Sequence, residues 1–444
     1  MCAQGTLRLE WVNHASFVVS YNGVRLITDP WLFGPAFNNG WSLLSETRFK
    51  PEDFDAITHI WLSHEHPDHF SPPVLKSIPE EMRRKIKFLY QKTEDGKVKR
   101  YCEGLGFEVQ EMEHGETYEL ADGFSVTCAP VLDDSWLLIE TPECRILNIN
   151  DCVINKPYLA HAIKKYSGEV DVLMTQFSYA NWVGNPDDPE RRRQNALEKL
   201  SRIKLQIEVF KPRYVIPFAS FVWFSHRENF YLNDTVNRIS DVAARIGEWG
   251  GEPVVLYPGD TWVPGGPHQT DSAIAKYEKD LSAIHKRKLT EPKPCDWSEV
   301  EAAAKTLVER VHRQNHMLSV RLAYALRLFR PANIFLTDRK QAYRFDVISG
   351  LRPVPLPEGQ CDISMHSESF LYALKFDWGA DTLHVNGRFT SPNGNSYLNF
   401  FINFFLPKHN NNGRRFPFGV IMGYLREGLL LDMLKRLASV RVGV

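Results

Sequence analysis

The sequence predicts an α/β fold followed by a smaller α+β unit. From residue 7 to about 265, short apolar segments typical of buried strands alternate with segments of helical periodicity. A mostly helical region follows from about 272 to 330, and residues 335–405 show the alternation typical of antiparallel strands. A chain of 444 residues is too long for one ordinary domain. We therefore predict two units, residues 1–265 and 272–444, joined by a linker rich in turn residues.

Individual elements follow from the same patterns. The apolar run Ala56–Ser63 predicts a buried strand, and apolar residues at helical spacing from Pro189 to Lys211 predict a helix that leads into a strand at Tyr214–Pro217. In the second unit, alternation predicts strands at the following segments: Tyr343–Val347, Tyr372–Phe376 and Thr382–Val385, the last followed by a turn at Asn386 and Gly387. This unit carries no metal or nucleophile motif, so we expect it to be a structural, lid or dimerisation domain.

Composition and charge restrict the classes of function. Hydrophobic content of 43% and charged content of 24% are those of a soluble globular protein. A net charge of −1 provides no general attraction to nucleic acid or to an anionic membrane. Seven cysteines with no CxxC pair, and an N-terminus without a signal-peptide pattern, favour a cytoplasmic protein. Charged residues interrupt the apolar tail from Gly419 to Val442, which favours an amphipathic helix covering a sheet over a membrane span.

The segment from His64 to His69 is the strongest chemical signal in the chain. It reads His-Glu-His-Pro-Asp-His and directly follows the predicted strand Ala56–Ser63. His64 and His66 are two residues apart and can point to one side of an extended segment, whereas Glu65 points to the other. Asp68 and His69 can turn back toward a neighbouring position, so one loop can serve two metal ions. Imidazole and carboxylate ligands suit zinc, iron or manganese.

This motif resembles the signature of the metallo-β-lactamase superfamily, and the resemblance covers about the first 265 residues. It implies a four-layer αββα sandwich with metals at one edge, between the two sheets. Asn13–Phe17 and Leu26–Trp31 are similar to the paired first strands of the branch that includes ascorbate-6-phosphate lactonase-like proteins. Ile146–Asp151 resembles the strand that ends in the aspartate bridging two metals.

Within the superfamily, the sequence most resembles the metallo-β-lactamase-like portion of CMP-N-acetylneuraminate hydroxylase. The similar segments are His64–Ser71, Ile146–Cys152, Val170–Met174, Tyr214–Ala219 with His226 beyond it, and Pro258–Thr261. The resemblance implies an oxygenase that uses non-haem iron and electrons delivered through a Rieske centre. These 444 residues contain no Cys-x-His with a later Cys-x-x-His, so electrons would come from a separate protein or from the substrate.

Two histidine ligands common among superfamily hydrolases are missing from the sequence. Where the first is expected the chain has Asp133 and Asp134, and where the second is expected it has Phe218. Either aspartate could replace the first histidine, and His226 is the nearest replacement for the second. A site richer in carboxylate oxygen shifts the preference from zinc toward iron or manganese.

These observations lead to a hypothesis for a dinuclear site. His64 and His66 hold one metal ion; Asp68, His69 and His226 hold the other; Asp151 bridges the two, and Asp133 supplies the substitute carboxylate. Asp68 also orients or deprotonates the attacking group. The resemblance places His14 near the metals, where it would either orient a ligand or contact substrate. We expect two divalent ions, with iron favoured and zinc or manganese as alternatives.

Three functions remain open from the sequence. The first is a dinuclear iron oxygenase acting on a small molecule with an external electron-donor protein. The second is a zinc- or manganese-dependent hydrolase of a lactone, ester or phosphodiester. The third is a metal-bearing binding protein without catalysis, which the complete ligand motif disfavours because binding alone rarely needs an open metal site. We favour the first, with no nucleic-acid partner, no membrane span and a homodimer as one option for assembly.

Overall fold

The computed structural model describes residues 5–131 and 134–426. Its first sheet has seven strands in the spatial order β16-β1-β2-β3-β5-β6-β7. The bounds of these strands are β1 Arg8–Asn13, β2 Ser16–Tyr21, β3 Val24–Thr28, β5 His59–Leu62, β6 Lys87–Gln91, β7 Glu108–Met112 and β16 Thr261–Trp262. The neighbours β3, β5, β6 and β7 are parallel, so their carboxyl ends meet at one edge. The predicted strand at Ala56–Ser63 is confirmed as β5.

A second seven-stranded sheet has the order β15-β13-β12-β11-β10-β9-β8. Its strands are β8 Thr117–Ala121, β9 Phe124–Val131, β10 Asp134–Glu140, β11 Arg145–Asn150, β12 Val172–Gln176, β13 Tyr214–Phe218 and β15 Glu252–Pro253. Here β11, β12 and β13 are parallel, and their carboxyl ends also lie together. A separate antiparallel pair joins β4 Trp41–Leu43 to β14 Val222–Phe224. The strand predicted at Tyr214–Pro217 is confirmed.

The two sheets pack face to face around the largest hydrophobic core. Phe17 and Val19 of β2 point into that core, whereas Val18 between them points to a second core on the outer face of the first sheet. Successive side chains of a strand leave opposite faces, so a sheet buried on both faces needs an unbroken apolar run. The sequence Phe17-Val18-Val19 provides such a run.

Helices cover both outer faces and complete four αββα layers, as predicted. On the first sheet lie α1 Pro72–Ser77, α2 Glu80–Arg83 and α3 Lys97–Gly104; on the second lie α4 Pro157–Ser167, α5 Pro189–Phe210 and α6 Ile239–Glu248. Asp188 caps α5 by accepting a hydrogen bond from the backbone N–H of Arg191 at 3.1 Å. The helix predicted at 189–211 is therefore confirmed to within one residue.

The predicted helical region after residue 270 is also confirmed. It contains α7 Thr270–Ala283, α8 Trp297–Gln314 and α9 Met317–Ala325, with short 3-10 helices elsewhere at Pro51–Ala56, Phe230–Thr235, Ile284–Lys286 and Glu358–Gln360. Ala273 and Tyr277 of α7 lie in the core of the sandwich. The division of the chain at 265 and 272 stays a prediction, and these contacts tie α7 to the first unit.

The C-terminal unit is more helical than its sequence pattern predicted. A four-stranded sheet comprises β17 Ala332–Leu336, β18 Gln341–Asp346, β19 Gly350–Val354 and β20 Ile363–Met365. Helices follow: α10 Ser367–Lys375, α11 Gly379–Asn386, α12 Leu398–Ile402, α13 Phe405–Asn411 and α14 Phe418–Arg426. The strand predicted at Tyr343–Val347 is confirmed as β18. The tail predicted as a helix from Gly419 continues beyond the described residues.

Two strand predictions in this unit were wrong. Tyr372–Phe376 lies mostly in α10 and Thr382–Val385 lies in α11. Both segments are too short for alternation to be distinguished from helical periodicity. Gly387, predicted as part of a turn after a strand, instead ends α11 in the left-handed region at φ 67°.

Among the described residues, none of the helices combines the length and the apolarity needed to cross a bilayer.

Candidate metal centre

The carboxyl ends of parallel strands from both sheets meet at one edge of the sandwich. The loop after β5 carries the segment His64–His69, and Asp29 follows the adjacent β3. From the second sheet, Asp151 follows β11 and Gln176 ends β12. Open α/β sheets bind ligands at this edge, because loops from several strands converge there.

Backbone strain is concentrated at the same edge. His14, Asp29 and Asn150 have positive φ angles of 45°, 38° and 55°, a region that costs energy for residues other than glycine. Each of them lies at the end of a strand that faces the cluster of histidines and aspartates. The strained turns aim these side chains, or those of their neighbours, back toward the gap between the sheets.

The histidine loop brings its imidazoles together. His64 Nε2 lies 2.8 Å from His66 Nδ1, and the rings of His64 and His69 are 4.3 Å apart. Backbone N–H groups of His69 and Phe70 both donate to the carbonyl of His66, at 3.0 and 2.7 Å, which closes the loop into a tight turn. His64, Asp68 and His69 are buried, whereas Glu65 is exposed. This is the division of side chains that the sequence predicted.

Carboxylate oxygens converge on His69. Its Nε2 atom lies 3.4 Å from Asp68 Oδ2 and 3.5 Å from Asp151 Oδ2. One ligand atom from each of His64, His69 and Asp151 lies within 4.8 Å of the others. The structure therefore brings four predicted ligands, His64, Asp68, His69 and Asp151, into one cluster, and His66 adjoins it through His64.

His14 forms part of a second group in the same cluster. Its Nε2 lies 3.3 Å from Asp68 Oδ2, and ligand atoms of His14, Asp68 and His69 lie within 4.8 Å of one another. The ring of Trp31 packs edge-on against His14 at 5.6 Å. The sequence placed His14 near the metals without deciding its role, and the geometry now puts its imidazole among the candidate ligands.

Asp29 is a further candidate site residue, which the sequence pattern did not single out. Its Oδ2 lies 3.0 Å from His69 Nδ1, and its Oδ1 accepts the backbone N–H of Ser63 at 2.8 Å. Its side chain is fully buried. A carboxylate behind a ligating imidazole fixes the ring orientation and makes the opposite nitrogen a stronger ligand. An available signal was its position at the carboxyl end of a predicted strand paired with the motif strand.

Asp134, one of the two aspartates that could replace the missing histidine, lies beside His64. Asp134 begins β10, and its Oδ1 lies 2.6 Å from His64 Nδ1. Its neighbour Ser135 donates through Oγ to the carbonyl of Ser63 at 2.6 Å, which ties this strand to the histidine loop. Asp133, the other candidate, lies outside the described residues, and its predicted metal role stays a prediction.

His226 is not in either group of candidate ligands among the described residues. Its Nδ1 accepts the backbone N–H of Glu228 at 3.2 Å and lies 3.4 Å from the carboxylate of that residue. Burial and the charge of Arg388 lower the pKa of His226 to about 4, so the ring is neutral at pH 7. Its predicted role as a ligand stays a prediction without geometric support, and His14 occupies the second group instead.

A lysine and a glutamine hold Asp151 from the second sheet. Gln176 donates through Nε2 to Asp151 Oδ1 at 3.1 Å, and Lys199 of α5 donates through Nζ to the side-chain carbonyl of Gln176. Burial lowers the pKa of Lys199 to about 8, with a further contribution from the charge of Arg202. Because Oδ1 is engaged by Gln176, Oδ2 is the oxygen of Asp151 that faces His69.

The ionisation of the cluster is set by competition between burial and opposite charges. Burial opposes the charged form of Asp68, yet the charge of His69, and the hydrogen bond and charge of His14, hold its pKa well below its usual range. Burial likewise opposes the charge on His69, but Asp68, Asp151 and Asp29 together raise its pKa well above the ordinary value. The carboxylates therefore place negative charge around His69, and a metal cation can replace the proton on the His69 imidazole.

These residues fit a pair of divalent metal ions. Asp68 Oδ1, His69 Nε2 and His14 Nδ1 are buried and have no hydrogen-bond partner among the described residues. Buried polar atoms without partners are rare and costly, and these three belong to the residues of one candidate ligand group, which indicates a metal site. Imidazole nitrogen and carboxylate oxygen suit iron, manganese and zinc.

The C-terminal unit contributes to the wall of this site. The ring of Phe37 packs edge-on against His66 at 5.6 Å, and the loop that carries Phe37 is held by two residues of the C-terminal unit. Asn386 donates a hydrogen bond from Nδ2 to the carbonyl of Phe37 at 3.2 Å. Arg388 donates one from Nη1 to the carbonyl of Asn38 at 3.0 Å.

Comparison with known proteins agrees with this architecture. Residues 8–218 match the family described as a Beta-lactamase superfamily domain. This part of the chain is similar to a β-lactamase superfamily domain. The resemblance inferred from His64–His69 is thereby confirmed, together with the sandwich fold that it implied.

Curated relatives of the domain carry the name cytidine monophosphate-N-acetylneuraminic acid hydroxylase. The Danio rerio protein is 27% identical over 264 residues, which cover 52% of this chain and 41% of the relative. The Mus musculus protein is 26% identical over 259 residues, 52% of this chain and 42% of the relative. The chain thus matches about two fifths of the length of these relatives.

Similar solved structures include both a hydroxylase and a hydrolase. CmlA, a diiron β-hydroxylase from Streptomyces venezuelae, is 19% identical with a TM-score of 0.44, covering 59% of this chain and 55% of that chain. An isothiocyanate hydrolase from Delia radicum gut bacteria is 14% identical with a TM-score of 0.42, covering 57% and 98%.

Proposed function

We propose that this protein is a dinuclear non-haem iron hydroxylase that acts on a small molecule and takes electrons from a separate donor protein. The observation that carries the proposal is the carboxylate-rich cluster, in which oxygens of Asp68 and Asp151 lie 3.4 and 3.5 Å from His69 Nε2. More oxygen ligands shift the preference from zinc toward iron or manganese. The name of the curated relatives supports the same reaction class.

In this proposal each residue has a defined task. His64, His66 and Asp151 would hold one ion, and His14, Asp68 and His69 the other, while Asp134 would orient His64 from its opposite ring nitrogen. Gln176 and Lys199 fix Asp151, and Asp29 fixes His69. When bound, the two ions would supply the redox chemistry, in which dioxygen, two electrons and two protons convert a C–H bond to C–OH and water. The aromatic rings of Trp31 and Phe37 exclude water from the cluster.

A zinc- or manganese-dependent hydrolase is the second candidate. It is favoured by Asp68, whose buried Oδ1 has no hydrogen-bond partner among the described residues and could accept a proton from an attacking water. The absence of a Rieske cysteine-histidine pattern from these 444 residues also fits a reaction that needs no electrons. Its substrates would be lactones, esters or phosphodiesters.

Elemental analysis of protein from cells supplied with iron and zinc separates the two candidates. A hydroxylase should contain roughly two iron ions per chain and consume oxygen when a reductant is added. His66→Ala and Asp151→Ala should lower the metal content while leaving the thermal unfolding midpoint near that of the parent. The matched control is Glu65→Ala, in the same loop but exposed.

Zinc or manganese in place of iron, with no oxygen uptake but hydrolysis of a lactone or phosphodiester, would replace the first proposal by the second. Full metal content in His66→Ala and Asp151→Ala would contradict the ligand assignment in either case.

A further inference from the structure

Two long segments of the C-terminal half contain no acidic residue. Residues 310–337 include five arginines and no Asp or Glu, and residues 382–426 include five Lys or Arg and again no Asp or Glu. Over the whole chain, by contrast, 53 basic residues are balanced by 54 acidic ones. Positive charge is therefore concentrated locally in a protein whose net charge is −1.

The fold brings these two segments side by side. The backbone N–H of His316 donates to the carbonyl of Phe416 at 3.2 Å, and the N–H of Phe416 donates to Asn315 Oδ1 at 2.8 Å. The rings of Phe329 and Phe416 are 5.8 Å apart. Helices α9 and α14 begin immediately after this junction, at Met317 and Phe418.

The same two helices expose a concentration of large apolar side chains. Leu318, Leu322 and Leu326 are 70%, 58% and 47% exposed, at a spacing of four residues that places them on one side of α9. On α14, Phe418 is 81% exposed. The remaining exposed apolar residues of α14 are Ile421, Met422 and Leu425. Such concentrations on a soluble domain mark an interaction surface.

Four arginines accompany these side chains. Arg313, Arg321, Arg327 and Arg415 are exposed, and none of them forms an ion pair with a described residue. We name the exposed apolar residues of α9 and α14, with these four arginines, the cationic apolar face. Because charges separated by more than about 8 Å are screened at physiological salt, this face acts on a partner through its own charge rather than through the net charge of the chain.

We propose that the cationic apolar face docks on the surface of an anionic phospholipid bilayer. The arginines would meet lipid phosphates, and the leucines and Phe418 would enter the boundary between headgroups and acyl chains. A second copy of the chain is a poorer partner, because a two-fold contact would bring like charges together. A folded acidic protein would need pockets for the exposed leucines and Phe418, whereas a lipid interface accepts these side chains without any pocket. Docking of this kind needs no spanning helix.

Vesicle co-sedimentation of the full chain tests the proposal. We expect binding to vesicles of phosphatidylcholine with phosphatidylglycerol, weak binding to phosphatidylcholine alone, and loss of binding as salt is raised to 0.5 M. The double variant Leu318→Ser with Phe418→Ser, and the double variant Arg321→Glu with Arg327→Glu, should each weaken binding roughly tenfold or more. Matched controls replace exposed residues elsewhere: Tyr158→Ser with Leu197→Ser, and Lys85→Glu with Lys204→Glu.

Three results would overturn the proposal. The first is no binding of the parent chain to anionic vesicles at 0.1 M salt. The second is a dimer, detected by sedimentation equilibrium, that Leu318→Ser with Phe418→Ser dissolves, which would make the face a contact between copies. The third is binding to soluble polyglutamate as tight as to vesicles and unaffected by the serine substitutions, which would indicate an acidic protein partner. Iron content and oxygen uptake of the variants separate this surface from the metal centre, because no substitution lies in the cluster.

Discussion

At the scale of single residues, the metal centre depends on groups that lie behind the ligands. Asp29 orients His69 through Nδ1, and Gln176 engages one oxygen of Asp151 and leaves the other directed at the cluster. Both supporting groups end strands adjacent to the strands that carry the ligands. Supporting residues at rigid strand ends therefore fix the positions of ligands that lie on loops. A precise metal site needs this arrangement.

Asp29→Asn tests this support. The amide nearly preserves the shape of the side chain but removes the negative charge beside His69 Nδ1, so the ring loses its preferred orientation and its Nε2 becomes a weaker ligand. We expect metal affinity to fall roughly 10- to 100-fold while the fold is retained. Competition with a chromogenic chelator measures the affinity, and Asp122→Asn, in an exposed turn, is the matched control. An affinity equal to that of the control would remove Asp29 from the site.

At the scale of elements, the loop that carries Phe37 makes hydrogen bonds between the sandwich and the C-terminal unit. Phe37, Asn38 and Asn39 have φ angles of 50°, 52° and 60°, which side-chain-bearing residues rarely adopt. Surrounding hydrogen bonds maintain this strained turn, including one from Asn229 Nδ2 to the carbonyl of Gly40 at 2.9 Å. The turn places the ring of Phe37 on His66, so its conformation bears directly on the metal centre.

Gly40→Ala should disturb this loop. A methyl group at residue 40 would lie 2.5 Å from Cβ of Asn386 and 3.0 Å from the carbonyl oxygen of Phe37, neither of which can move freely. Overpacking of this kind costs about 1–3 kcal/mol, and urea unfolding should show the loss. Gly104→Ala, in α3 with nothing within 4 Å, should be neutral or slightly stabilising. Equal urea unfolding midpoints for the two variants would show that α11 does not hold the loop that carries Phe37 and Gly40.

At the scale of the whole molecule, a buried arginine joins the C-terminal unit to the sandwich. Arg388 is fully buried; it donates to Glu228 Oε2 at 2.9 Å, to Glu368 Oε2 at 2.7 Å and to the carbonyl of Asn38 at 3.0 Å. Trp182, from the loop after β12, packs in the core of the C-terminal unit. The two units are therefore tied together by charge pairing and by apolar packing.

Arg388→Met should destabilise the protein strongly, because it leaves Glu228 and Glu368 without their cation. Removal of one partner from a buried pair costs about 3–5 kcal/mol. Burial raises the pKa of Glu228 even in the parent, and without the arginine it should rise further. A carboxyl whose folded pKa lies above its unfolded value stabilises the fold at low pH and loses that stability as pH rises.

The loss of unfolding free energy in Arg388→Met, relative to the parent, should therefore be smaller at pH 5 than at pH 8 in urea titrations. The control is Arg84→Met, whose exposed pair with Glu80 should change stability by less than about 1 kcal/mol. If the loss of unfolding free energy did not change with pH, the ionisation of Glu228 and Glu368 would not depend on Arg388.

The sequence alone determined the features that depend on local order. The apolar run before His64 predicted β5, the spacing within His64–His69 predicted that side chains of this loop gather, and the helical period predicted α5. Tertiary structure decided the rest. His14 and Asp29 reach the cluster only because β1, β2, β3 and β5 lie side by side in that order in one sheet. The alternating pattern of Tyr372–Phe376 is too short to distinguish a strand from the helix that tertiary packing selected. Local periodicity specifies what a segment can form, whereas which distant residues meet depends on how the sheets pair and pack.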